Sequence, residues 1–386
     1  MPLTSLTIAI DADPTVFLDS GIGVGARGLL EALATMCPEI AIHCYYSANA
    51  PMSGWLHGFM QRENVRVHFL RWSKRMRNFR ELIGLPCLPA AALSNAAPIL
   101  YLYARVPLPS RPAQYAFVHD LSSLKRRKFR SVPWHGSRIS RNALRRCAAE
   151  GVTLIAVSRY TKSELEVYMR ARAPKIVPIY WGLDEIWFRE LSEQEIDAVL
   201  RRYSLCSPYF YWCGKVSARK NLGNLLRAYR LAAERMGHQT PDLVLIGDAE
   251  QCSPLVSRFS GGNRIAGNVR VLPHLPRKDL VAIVSAAAAL VFPSWDEGFG
   301  FPVVEALARG TPIVVSETGA LREVAGPLGL TCRPDDPSDI SSQLVRVATD
   351  PKLKAHAATF GPKWARGFSY AEMCGRLVRV LRGVNI

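Results

Sequence analysis

Residues 289–315, ALVFPSWDEGFGFPVVEALARGTPIVV, hold two short apolar runs, Ala289–Phe292 and Pro312–Val315, with a glycine-rich turn and a helical pattern between them. Pro302 suits a first helical position, because its φ is already fixed and an N–H there is not needed. Gly310 suits the helix stop. Strand, helix and strand in this order make a βαβ unit, so the sheet is expected to be parallel. In such sheets ligands sit outside the carboxyl ends of the strands, where helix amino termini point, so the loop 293–301 becomes the place to look for chemistry.

The same alternation spreads outward in both directions. Upstream lie strand Tyr209–Trp212, helix Leu222–Arg235, strands Leu243–Ile246 and Val269–Leu272, and helix Lys278–Ala286. An earlier series has strand-like runs at Leu6–Ile10, Ile40–Tyr45, Ala116–Val118, Leu154–Val157 and Lys175–Ile179, with helical stretches at Ala26–Met36 and Ser163–Met169. A polar helical stretch around Ser192–Arg202 separates the two series. The expected fold class is therefore α/β: two doubly wound, Rossmann-like parallel-sheet domains facing each other across a cleft. The expected boundaries are 1–185 for the first domain, 186–365 for the second, and 366–386 for a C-terminal helix packing back on the first.

Composition sets limits. The chain has 386 residues, 49% hydrophobic and 21% charged, enough for two domains with their own cores and unlike disordered, collagenous or coiled-coil chains. It has no uninterrupted run of ~20 apolar residues, the length a spanning helix needs. The start, MPLTSLTIAIDADP, has no basic flank, and Asp11 and Asp13 cut its apolar run short, so it reads as a first strand of a cytoplasmic protein. Nine cysteines are scattered without a CxxC pair, which points to reduced packing thiols rather than a disulfide frame or zinc site.

Charge is distributed unevenly. Residues 60–149 carry 18 Lys and Arg against three acids (Glu63, Glu81, Asp120), which accounts for most of the chain's net +17. Such an excess calls for a polyanionic partner. In 68–83, Phe69, Trp72, Met76, Phe79 and Ile83 recur at three- and four-residue steps among Arg71, Lys74, Arg75, Arg77 and Arg80. That is an amphipathic basic helix, which either lies on an anionic membrane or packs its apolar stripe on the sheet and turns its charges to water. Lys125–Arg130 and Arg138–Arg146 extend the patch. Nucleic acid would use the same electrostatics, but no recognition motif accompanies them.

Chemistry concentrates in two turns. Gly298 and Gly300 let the backbone approach a ligand. The amides around Phe299–Val303 then form the positive end of a helix dipole, suited to phosphate or sugar hydroxyls. Glu305, expected in the first helical turn, can accept both hydroxyls of a ribose, and Glu297, eight positions earlier, can reach a different ring. Taken alone, these are equally a capping acid and a loop glutamate in water. In the second turn, Gly214–Asn221 (GKVSARKN), Lys215 and Lys220, with Arg219 as a further choice, oppose the dipole of the helix they precede, so they want an anion such as a diphosphate leaving group. A solvated basic helix start is the alternative.

GKVSARKN resembles the basic turn of glycosyltransferase family 4, and Glu297–Glu305 resembles its E-x7-E motif. The resemblance continues through GDAE (247–250) and ETGALREVAG (317–326). In the first half it runs through GIG (21–23), the REL–LP stretch (80–86), HDL (119–121), VSRYTKSEL (157–165) and WGLD (181–184). That half is similar to the subgroup holding many bacterial mannosyltransferases.

The resemblance implies a GT-B fold, retention of anomeric configuration, no cofactor and no metal. It implies a nucleotide-sugar donor, GDP-mannose favoured, held mainly by the second domain. The acceptor, held mainly by the first, would be a glycan or polyprenyl-linked, for lipopolysaccharide or exopolysaccharide at the cytoplasmic face of the inner membrane. Glu305 would hold the ribose, Glu297 the transferred sugar, Lys215 and Lys220 the diphosphate, and His119 would lie beside the reacting carbon. Gly23, Gly214, Arg219, Gly298, Phe299 and Gly300 complete the donor contacts. The chain departs from the family after GIG, where Val24 and Gly25 replace a polar pair.

Other patterns were weighed. Asp11–Ala12–Asp13 fits the metal-binding D-x-D form but matches the family's usual Asp-Ala start, and Gly21-x-Gly23-x-Gly25 misses dinucleotide spacing. His43 and His274 read as packing or surface histidines. A non-catalytic basic membrane- or nucleic-acid-binding protein on a degenerate transferase scaffold, or a nucleotide-sugar epimerase, would share the same fold.

Overall fold

The computed structural model describes residues 6–16, 21–88, 97–110, 113–122, 124–125, 134–170, 173–260 and 267–384. The chain divides into two compact units, 1–182 with 370–386, and 183–369. The division thus falls at 182/183 and 369/370 rather than 185/186 and 365/366.

The first unit contains β1 (Thr7–Asp11), α1 (Gly21–Met36), β2 (Ala41–Tyr46), α2 (Gly54–Phe59), β3 (Val65–Phe69), α3 (Lys74–Leu82), β4 (Ile99–Tyr101), β5 (Gln114–Val118), α4 (Trp134–Ala149), β6 (Thr153–Ala156), α5 (Arg159–Met169) and β7 (Ile176–Pro178). Among the described residues its sheet runs β3-β2-β1-β4-β5-β6-β7, with every pairing parallel. The second unit contains α6 (Glu193–Arg202), β8 (Tyr209–Gly214), α7 (Leu222–Met236), β9 (Asp242–Gly247), α8 (Ala249–Ser260), β10 (Val269–Leu272), α9 (Arg277–Ala286), β11 (Ala289–Phe292), α10 (Phe301–Ala308), β12 (Ile313–Ser316), α11 (Leu321–Ala325), β13 (Gly329–Cys332), α12 (Pro337–Thr349) and α13 (Pro351–Ala365). Its sheet runs β10-β9-β8-β11-β12-β13, again parallel. The order reverses between β8 and β11, so the loops after these two strands sit at the switch point where such sheets bind ligands.

The central strands explain why the apolar runs stood out. Tyr209–Trp212 and Ala289–Phe292 are buried throughout, as parallel strands covered on both faces must be. Each such large apolar side chain stabilises the fold by roughly 1.5–3 kcal/mol.

The last helix, α14 (Tyr370–Leu381), packs on α1 within the first unit. A side chain at Gly28 would put a Cβ 1.8 Å from the Tyr370 hydroxyl, so this contact requires glycine.

Three strands escape the sequence pattern: β3 and β13 are edge strands with partly exposed residues that break an apolar run, and β4 offers only Ile99–Tyr101. The helix expected over 68–83 is also corrected. His68 and Phe69 complete β3 against β2, and the helix starts only at Lys74, capped by Ser73, whose Oγ accepts from Met76 N at 3.3 Å. The first helix also starts earlier than expected, at Gly21 rather than Ala26, so the GIG segment lies inside α1. Of the basic stretch that begins at Lys125, residues 126–130 lie outside the described residues, as do 131–133 after them. No helix among the described residues is long and apolar enough to cross a membrane.

Candidate functional site

In the second unit, the loops after β8 and β11 are tied to each other. Trp295 N donates to Arg219 O at 2.8 Å, and Arg219 Nη1 donates to Asp296 O at 2.7 Å. Asn221, in the left-handed region at φ 58°, sends its Nδ2 to Pro293 O at 2.9 Å and Pro334 O at 2.6 Å. These bonds fix the GKVSARKN turn against the Glu297 loop. Gly300 caps α10 with φ 104°, and a Cβ there would come within 2.6 Å of Leu321 Cδ2. Both backbone and packing therefore call for glycine at this position. Phe299 is buried edge-on to Phe301 and Phe368, so its ring packs and only its backbone is left for a ligand.

This scaffold brings three charges together. Glu297 Oε2 lies 2.6 Å from Arg219 Nη1, and Oε1 lies 2.8 Å from Lys220 Nζ. Lys220 Nζ also sits 4.3 Å from the centre of the Phe292 ring, a cation–π contact. At Gly214, φ is 143°, and an added Cβ would meet Lys220 Cε at 3.6 Å, so the end of β8 wraps closely around this lysine. Burial would raise the Glu297 carboxyl, but Lys220 and then Arg219 more than offset it and hold it below the usual carboxylate range. Both cations face this one carboxylate in a largely dry place. Lys215 is exposed and is not one of Glu297's partners; the second cation is Arg219.

Glu305 behaves differently from the expectation. It is the fifth residue of α10, beyond the first turn, so the helix dipole gives it little help. Burial pushes its carboxyl up to about 7, with the Arg277 charge opposing that only in part. Near neutral pH it is therefore poised between charged and neutral, ready to be drawn into its anionic form by hydroxyl donors.

The first unit holds the remaining sequence candidates. His119 lines a cavity of about 140 Å3 with Ile22 of the GIG segment, Tyr103 and Asp120. Its ring stacks on Trp181 of WGLD at 5.4 Å and on Tyr103 at 6.0 Å. Burial lowers its pKa, so the ring is neutral, and with Nε2 donating to Leu102 O at 2.9 Å its Nδ1 is left as an acceptor. Gly23 is buried beside Ile22 in α1.

The D-x-D pattern belongs to something else. Asp11 Oδ1 accepts from Arg77 Nη2 at 2.7 Å, and Asp13 pairs with Arg77 Nη1 and accepts from Ser47 N at 2.7 Å. Arg105 Nη1 pairs with Glu81 at 2.5 Å, and its Nε lies 3.4 Å from Asp11. Burial would raise the Asp11 carboxyl, but Arg77 and Arg105 hold it low. Sequence reasoning missed Asn221 as the residue locking the two loops, although it stood at the end of the quoted turn. It also missed Arg77 and Glu81, whose four-residue spacing on one helix face was the available signal.

Residues 207–350 match the family model described as "Glycosyl transferases group 1". The matched segment runs from just before β8 to the end of α12. The chain is 32% identical over 226 residues to the O-antigen chain mannosyltransferase B of Escherichia coli, an alignment covering 57% of this chain and 58% of the relative. It is 29% identical over 239 residues to the D-inositol 3-phosphate glycosyltransferase of Thermobifida fusca, covering 59% and 54%. The matches thus span little more than half the length of these relatives. Anabaena Alr3699/HepE, solved in complex with UDP-glucose, superposes with TM-score 0.72 at 16% identity over 98% of this chain and 99% of that one. The chain has the GT-B fold, and the family 4 resemblance of its motifs agrees with both kinds of likeness.

Proposed function

We propose that this chain is a retaining hexosyltransferase that moves mannose from GDP-mannose onto a growing or lipid-linked glycan at the cytoplasmic face of a membrane, in lipopolysaccharide or exopolysaccharide synthesis. The observation that carries it is the Arg219–Glu297–Lys220 cluster at the switch point, two cations on one buried carboxylate, with Glu305 further along the same segment. The O-antigen mannosyltransferase likeness supports the choice of sugar and pathway.

The three charges suggest an exchange of partners. A diphosphate reaching the loops competes with Glu297 for Lys220 and Arg219. The carboxylate released is then free to accept hydroxyls of the transferred hexose. The C1–O bond to the diphosphate breaks, and its electrons stay on the leaving oxygen, where the two cations and the backbone at Gly298–Gly300 stabilise the growing charge. The acceptor hydroxyl attacks from the same face and gives its proton to a departing phosphate oxygen. Glu305 holds the ribose hydroxyls. In the first unit, His119, neutral and fixed by its stacked neighbours, presents Nδ1 as a hydrogen-bond acceptor at the cavity it lines. No residue serves as a covalent nucleophile and no cofactor or metal takes part.

A thermal-shift screen against GDP-, UDP- and ADP-sugars tests the donor, because a ligand bound only by the native state raises the melting point. GDP-mannose is expected to give the largest rise, and to label a lipid-linked glycan acceptor. A larger rise with a UDP- or ADP-sugar, with no response to GDP-mannose, contradicts the proposal.

A further inference from the structure

Helix α3 is held in place by its charges and turns its apolar side outward. Its two fully buried side chains are Arg77 and Glu81, both 0% exposed. Arg77 is gripped by Asp11 at 2.7 Å and by Asp13, and Glu81 by Arg105 at 2.5 Å and by Val106 N at 3.2 Å. Met76, Phe79 and Ile83 form a single stripe at three- and four-residue steps. They are 49%, 61% and 55% exposed, and Leu85, just beyond, is 43% exposed. A helix on a globular domain normally turns such a stripe inward. Here a roll that buried it would pull Arg77 and Glu81 away from their partners and leave charges uncompensated inside the unit, which is strongly unfavourable. The ion pairs therefore fix the helix with its apolar stripe displayed.

The surroundings of the stripe have one sign of charge. Arg71 and Arg75 are exposed on or beside α3. Helix α4 is fastened alongside by Asn142 Nδ2, which donates to Glu81 O at 3.2 Å and Leu82 O at 2.9 Å, and it exposes Arg138, Arg141 and Arg145. Glu81 is the only acid in either helix, and it is buried.

We infer that the α3–α4 face docks on an anionic lipid surface, with Phe79, Ile83 and Met76 entering the boundary between headgroups and acyl chains and the arginines meeting headgroup phosphates. This rests on the membrane-face part of the proposed function and names the surface that performs it. Mixed aliphatic and aromatic side chains inside a basic rim suit a bilayer boundary. They offer too few flat rings to serve as a stacking platform for nucleic acid.

Flotation of the full chain with phosphatidylcholine vesicles, and with vesicles also containing phosphatidylglycerol, at low and high salt, tests it. Binding is expected only to the mixed vesicles and to fade as salt rises. The double variant Phe79→Ser/Ile83→Ser should lower that binding about tenfold or more, since two apolar anchors leave the boundary. Arg141→Glu/Arg145→Glu should weaken binding and its salt dependence while the apolar stripe stays intact. Calorimetric GDP binding should be unchanged in both variants, showing that they fold. Undiminished vesicle binding by the serine variant, equal binding to neutral vesicles at high salt, or wild-type capture of an acidic peptide or oligonucleotide without any vesicle binding would each overturn the inference. Vesicle binding as expected with no GDP affinity would instead overturn the transferase proposal and leave the docking face standing.

Discussion

Each unit contains a cluster of buried charges after its first or central strands, and the two are built to opposite ends. In the first unit, three carboxylates (Asp11, Asp13, Glu81) face two guanidiniums (Arg77, Arg105), closed off further by Ser47 and the Val106 amide. In the second, two cations face the single carboxylate of Glu297, and Glu305 nearby in sequence is held close to its neutral form. The first cluster gives each carboxylate a guanidinium partner inside the unit and serves to hold β1, α3 and the loop after β4 together. The second sets Arg219 and Lys220 on one carboxylate at the switch point of its sheet, where a ligand would meet them. Burial and ion pairing alone therefore do not mark a functional site; a place at the switch point of the sheet does.

The comparison breaks most visibly at Arg77. Arg77→Ala takes the guanidinium from Asp13 and leaves Asp11 only Arg105 at 3.4 Å, so chemical denaturation should show a loss of about 3–5 kcal/mol in the first unit's stability, as for other buried pairs cut on one side. A loss under about 1 kcal/mol would make the cluster ornamental. The depressed Asp11 carboxyl adds a pH signature: its stabilisation is present above the ordinary carboxylate value of 3.8 and is lost as pH falls through its lower folded value.

Lys220→Ala removes a cation from the second cluster and should lower kcat about 10²–10³-fold, the scale of losing one preorganised charge donor. Glu297→Gln sharpens the contrast further. It frees Arg219 and Lys220, so GDP should bind more tightly by calorimetry while mannose transfer falls. Weaker GDP binding in this variant would deny the partner exchange.

Glu305 supplies a smaller effect. With its carboxyl near 7, GDP affinity should climb about tenfold from pH 6 to pH 8 as the carboxylate form becomes dominant, and Glu305→Gln should flatten that slope. The same raised value means that ionising Glu305 works against folding, so its contribution to stability declines as pH rises from the ordinary 4.5 through 7. The smallest expected change is none: turnover with a chelator present should equal turnover without it.

Much of this was legible in the sequence. Apolar runs punctuated by glycine located the buried central strands, and the two turns at the ends of β8 and β11 followed from helix-start signals. The pairing of Glu297 with Arg219 and Lys220 was not legible, because it joins residues 77 and 78 positions apart through a crossover whose spatial neighbours spacing does not reveal. Helix α3 misled for a different reason. Its apolar period was real, but periodicity says which residues share a face and not which face is inside; that is decided by Asp11, Asp13 and Arg105 on distant strands and loops. Glu305 lay one position beyond the turn in which a helix dipole would have kept it charged, a boundary shift too fine for pattern reading.

The proposed role of Lys220 and Arg219 is to hold the diphosphate of the donor. Calorimetric titration of GDP into the wild-type chain and into Lys220→Ala tests it most directly. Losing one charge-assisted bond to phosphate should weaken binding at least about tenfold, corresponding to roughly 1.5–3 kcal/mol, with the fold intact by circular dichroism. Equal GDP affinity in both chains would contradict it.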